Sequence, residues 1–135
     1  MNYLLDDPQL TDKLYFTKNH EWVFLDGRIA YIGITEYKCA HCKEAPSFEM
    51  SSVFTYKQEG AAYGLVRCGE LTIEINMPVS GKLVQINRQL LTKQNLNLLS
   101  IRVPDNWLAM ILSDEVKTTG LLCPKAYLEL LASKQ

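Results

Sequence analysis

Val66-Arg67-Cys68-Gly69-Glu70-Leu71-Thr72-Ile73-Glu74-Ile75-Asn76-Met77-Pro78-Val79-Ser80-Gly81 is the stretch on which the reading of the fold turns. Thr72, Glu74 and Asn76 alternate with Ile73, Ile75 and Met77, the period of a half-buried strand. A second strand-like run, Ala62 to Cys68, precedes it. Gly69 lies between the two runs; without a Cβ it takes positive φ at no steric cost, which suits a tight turn. The pattern therefore predicts strands over 62–68 and 71–77, with Glu70 at or beside the hairpin tip. Pro78 has no N–H to donate and ends the ladder, and Ser80-Gly81 opens the next turn.

Working outward, the segment from Leu14 runs through His20-Glu21-Trp22-Val23 to Asp26-Gly27, a hairpin signal between apolar runs, and a strand over 28–34 follows. Thr35 is a good N-cap and 36–44 contains neither Gly nor Pro, so a helical stretch is expected there, stopped by Pro46. Residues 47–56 read as a strand whose alternation is broken at Ser51-Ser52, and 57–60 as a turn. Beyond the central hairpin the pattern gives a strand over 82–87, an irregular loop over 88–104 and a last strand over 107–112. Ser113-Asp114-Glu115 can cap a helical piece, and Pro124 suits the first turn of a final helix over 125–133.

Two of these stretches resemble one family, the H proteins of the glycine cleavage system, relatives of the biotinyl and lipoyl carriers. Tyr15-Phe16-Thr17-Lys18-Asn19-His20-Glu21-Trp22-Val23 with the later Gly33-Ile34-Thr35 resembles that family's opening, and Pro78-Val79-Ser80-Gly81 its central anchor. Ala126-Tyr127 resembles the start of its closing helix, so the likeness spans about 14–131. The resemblance implies a mainly β, lipoyl-domain-like fold: a sandwich or barrelled hybrid of two antiparallel sheets with short peripheral helices. In the family a lysine at the hairpin tip carries the lipoyl arm. Counted back from Pro78 without a gap, that position is Glu70, and no Lys lies between Gln58 and Gly81. Acylation of a side chain into an amide needs an amine nucleophile, which a carboxylate is not. No cofactor is therefore expected, the family's being lipoate. The resemblance also implies that Asn19 and Glu21 line the cleft that shelters the arm.

Composition sets the frame. With 135 residues the chain reads as a single domain over 1–135, with 1–12 an irregular lead-in. The formal net charge of −1, from 14 Lys and Arg against 15 Asp and Glu dispersed along the chain, argues against a nucleic-acid partner. No apolar run is long enough to span a bilayer. The acidic N-terminus lacks the pattern of a signal or transit peptide, so a cytoplasmic location is expected. Under those conditions Cys39, Cys42, Cys68 and Cys123 are expected to be reduced thiols.

Three functions follow from these readings. The first is a non-catalytic, H-protein-like module that is not lipoylated and acts by protein–protein binding, to glycine cleavage enzymes or lipoate-handling enzymes. The second is a working lipoyl carrier that shuttles the aminomethyl group in glycine decarboxylation. The third rests on Cys39-Ala40-His41-Cys42: C-x-x-C is the spacing of a thiol redox pair or half a metal site. A structural zinc site needs four ligands, and no second pair with that spacing exists, so no metal is expected. Cys68, two residues before the tip, is a nucleophile only as a thiolate. The chain shows no Ser-His-Asp set and no phosphate-cradling loop, which leaves no catalytic residues to nominate.

Overall fold

The computed structural model describes residues 13–44, 46–88, 107–114 and 118–133. Nine strands are described: β1 (Leu14–Phe16), β2 (Glu21–Asp26), β3 (Ile29–Ile34), β4 (Ser47–Met50), β5 (Tyr56–Lys57), β6 (Ala62–Cys68), β7 (Leu71–Asn76), β8 (Gly81–Ile86) and β9 (Ala109–Ser113). One α-helix, α1 (Pro124–Ser133), closes the chain, and short 3-10 turns lie at Glu36–Cys39 and Thr118–Gly120. The strands form a six-stranded sheet in the order β1-β2-β3-β9-β8-β5 and a three-stranded sheet in the order β4-β6-β7. Every pairing is antiparallel. The expected class, mainly β with two antiparallel sheets and a short peripheral helix, is the one found.

Alternation decides what each strand buries. On β2, Val23 faces the main core with Ile32, Tyr63, Val66, Ile75, Met77, Leu83 and Ile111. Its neighbour Trp22 points the other way, into a second cluster with Leu14, Phe16 and Tyr127. Helix α1 lies over this second cluster, where the rings of Tyr127 and Phe16 stack at 4.3 Å. Because both faces of β2 are covered, its alternation in sequence is loose: Glu21, Trp22 and Val23 are all buried. β6 carries a bulge, since Ala62 faces Asn76 while Gly64 faces Ile75, and Tyr63 is the extra residue.

Two expectations are corrected. The helix expected over 36–44 is a single 3-10 turn, Glu36–Cys39. Thr35 does cap it, its side chain accepting from the Tyr37 N–H, but the chain then leaves the helical path, and Cys42 is bonded to β6. The strand expected over 47–56 is two strands in different sheets. The chain crosses between them through Phe54, which sits at φ 66. Elsewhere the strand ends shift by a residue or two. The lead-in 1–12, most of the loop over 88–104 and residues 115–117 of the helical piece expected after Ser113 lie outside the described residues; the described end of that piece is the 3-10 turn Thr118–Gly120.

Candidate functional site: a hairpin tip and the polar cluster at its base

The β6–β7 ladder closes with the rung Cys68↔Leu71, which leaves Gly69 and Glu70 as the turn. Gly69 takes φ 61, whereas Glu70 is not among the residues with positive φ. Positive φ at the first central residue alone is the signature of a type II′ turn, which demands glycine there. Glu70 is thereby presented to solvent at the tip. Behind the turn, Cys68 is disulfide-bonded to Cys42, with Cα atoms 5.6 Å apart. The side chain of Glu44 lies alongside, its carboxylate 3.6 Å from where a Cβ on Gly69 would stand.

This bond corrects the cysteine readings. Cys42 pairs with Cys68, 26 residues away, and not with Cys39. Cys39 is a free, buried thiol that burial pushes up to about 11, against a smaller opposing effect of Lys38. The expectation that all four cysteines are thiols therefore holds only for Cys39 and Cys123. The physical reason is geometric: the short 3-10 turn drops Cys42 beside the end of β6, an approach that no spacing along the chain announces. With Cys42 consumed, a Cys39–Cys42 redox pair or metal half-site is not formed. Among the described residues no group of three or more His, Cys, Asp or Glu side chains could hold a metal ion.

At the other end of β7, roughly 20 Å from Glu70 at strand rise, lies a polar cluster containing Asn19 and Glu21. Glu21 is only 2% exposed. Its Oε2 accepts from the backbone N–H of Asn76 at 2.6 Å and from Lys38 Nζ at 3.1 Å. Lys38 Nζ also donates to the Asn19 carbonyl at 3.1 Å, and Asn19 Nδ2 donates to Asn76 Oδ1 at 3.3 Å. Asn76 Nδ2 reaches Glu74 Oε1 at 3.3 Å. Glu21 thus links the start of β2 in the large sheet to the end of β7 in the small one. Burial raises its carboxyl above the ordinary 4.5, while the Asn76 N–H and Lys38 pull it down less strongly. Beside it, the Tyr63 hydroxyl is fully buried with no hydrogen-bond partner among the described residues. Burial first, and the Glu21 charge second, raise its pKa well above 10.

A second polar string runs from the same end. His20, at φ 63, places Nδ1 2.8 Å from the Tyr127 hydroxyl, which lies 2.9 Å from Thr35 Oγ1. Helix α1 is pinned by this string to the turn before β2 and to the cap of the 3-10 turn.

The structure therefore brings Asn19 and Glu21 together, sets Cys68, Gly69 and Glu70 at the opposite end of the hairpin, and separates Cys39 from Cys42. Lys38 and Asn76 complete the basal cluster and were not legible as site residues. Glu21 and Asn76 are 55 positions apart, and Lys38 looks like an ordinary solvent-facing cation.

Comparison with known proteins bears on the assembled geometry. The family model described as "Glycine cleavage H-protein" matches residues 14–134. The chain belongs to the glycine cleavage H-protein family. It is 32% identical over 117 residues to the mitochondrial glycine cleavage system H protein of Oryza sativa subsp. indica, covering 86% of this chain and 71% of that relative. It is 36% identical over 77 residues to the mitochondrial glycine cleavage system H protein 2 of Arabidopsis thaliana, covering 57% of this chain and 49% of that one. The crystal structure of a glycine cleavage system H protein from Mycobacterium marinum superposes with a TM-score of 0.72 at 18% identity, over 90% of this chain and 96% of that chain. That last likeness concerns the fold alone, and it matches the two-sheet architecture described above.

Proposed function

We propose that this H-protein family member is a non-catalytic module that carries no lipoyl group and works by binding protein partners, the glycine cleavage enzymes first among them and lipoate-handling enzymes next. The observation that carries this reading is Glu70 at the tip of the β6–β7 turn, in a stretch from Gln58 to Gly81 without a lysine. A carboxylate offers no amine for an acyl amide. The basal cluster supports the same reading. One carboxylate oxygen of Glu21 is occupied by Asn76 and Lys38, and the two asparagines bond each other, so these groups serve to hold the sheets together. What remains for partners is shape: a two-sheet body that presents an acidic tip.

The test is binding of the purified, unmodified chain to the purified glycine decarboxylase and aminomethyltransferase by calorimetry. Saturable binding of wild type, with weakened binding by Glu70→Arg to at least one of them, is expected. Absence of binding to both removes these enzymes as partners.

A further inference from the structure

We propose that the Cys42–Cys68 disulfide is a thiol–disulfide exchange site, which takes two electrons from an external dithiol and so releases the hairpin tip from the segment behind the 3-10 turn. The inference stands apart from the function proposed above, since it holds whether or not any group is attached at Glu70.

The two halves of the bond are unlike. Cys68 is the last residue of β6, sits in the rung that closes the turn and is 4% exposed. Cys42 is only partly buried and lies in irregular chain; its N–H bonds locally to the Cys39 carbonyl at 3.0 Å. Its neighbours His41, Lys43 and Glu44 are all exposed. Disulfide exchange requires in-line access of a thiolate to one sulfur, and the sulfur that can be reached decides the direction. Cys42 is the more exposed residue of the pair, so its sulfur is assigned as the point of attack.

A thiolate of the dithiol attacks Cys42 Sγ and forms a mixed disulfide. The Cys42–Cys68 bond breaks, its electron pair goes to Cys68 Sγ, and that sulfur takes a proton from water. The second thiolate of the reagent then attacks the reagent's own sulfur, closing the reagent's disulfide and expelling Cys42 as a thiolate, which is protonated in turn. The dithiol is oxidised and the protein pair is reduced, by two electrons and two protons. Cys39, one 3-10 turn away, does not intercept the mixed disulfide, because it is 5% exposed and burial holds it as the thiol. The consequence is mechanical. Reduction opens the 26-residue closure and removes the covalent tie between Cys42 and the end of β6, so that the chain behind the 3-10 turn is next held to β6 at the Ser47↔Arg67 rung and Glu44 is less closely held beside Gly69.

The test uses the full chain, oxidised and native, treated with dithiothreitol, quenched and alkylated, with the labelled cysteines mapped by mass spectrometry. Cys42 and Cys68 should become labelled together while Cys39 stays unlabelled, at a rate roughly tenfold or more above that of global unfolding. In a companion experiment Cys68→Ser and Cys42→Ser are incubated with glutathione disulfide. Cys42 should take up glutathione roughly tenfold faster than Cys68. Labelling of Cys42 and Cys68 only at the unfolding rate, with Cys39 labelled alongside, overturns the proposal. So does a native, air-equilibrated protein with four free thiols, or equal uptake by the two variants. The wild-type labelling decides the matter should either variant fail to fold.

Discussion

At the scale of single residues, the decisive groups are polar atoms in apolar surroundings. Because burial raises the Glu21 carboxyl, the folded chain holds that proton at a pH where the unfolded chain has lost it. The contribution of Glu21 to stability therefore falls as pH rises from about 4.5 through the raised pKa, and is level above it. Gln at this position keeps an oxygen for the Asn76 N–H and carries no charge to desolvate. Glu21→Gln should match wild type at low pH and equal or exceed it at neutral pH in urea titrations; a wild type that gains on the variant as pH rises contradicts this sign. Glu21→Ala, which removes the acceptor of the Asn76 N–H and one of the two acceptors of Lys38, should cost about 2 kcal/mol. The Tyr63 hydroxyl gives the opposite case. It is buried and unpartnered among the described residues, so Tyr63→Phe should raise stability by about 1 kcal/mol. A loss of that size would mean that the hydroxyl has a partner. These residues show where sequence reading stops. The H-E-W motif singled out Glu21, but nothing in it says that the acid is buried, or that its partners are a lysine 17 positions on and a backbone N–H 55 positions on.

Among elements, the hairpin was the most legible and the segment after Thr35 the least. Strict alternation over 71–77, and a glycine where a type II′ turn requires one, announce β6 and β7 in the sequence itself, and their register follows. The segment over 36–44 has helical composition, yet a covalent bond and a core position for Cys39 override it, and propensity contains no term for either. The tip's construction also bears on how it can be altered. At the first position of the turn, Gly69 sits at φ 61. A β-branched side chain at that φ is strained, so Gly69→Val should cost about 1–3 kcal/mol. Glu70→Lys, on an exposed turn position, should change stability by less than about 0.5 kcal/mol. Thermal unfolding of the two single variants checks the contrast; equal, small effects would place Gly69 in another backbone conformation.

Taken whole, the described residues form two antiparallel sheets closed over the main core, with a second apolar cluster under the last helix and the polar string from Thr35 through Tyr127 to His20 anchoring that helix to the first strands. That architecture belongs to the H-protein family, and it was readable because its anchors, H-E-W-V and P-V-S-G, are local motifs joined by strands of ordinary length. The fate of the tip is a separate matter, decided by one side chain. The intact mass of the chain, purified after co-expression with a lipoate ligase and supplied lipoate, tests it most directly. Wild type should show the unmodified mass, with Glu70→Lys as the variant that places an amine at the tip. A gain of one lipoyl group on wild type, at any residue, would contradict the proposal that this chain carries no lipoyl group.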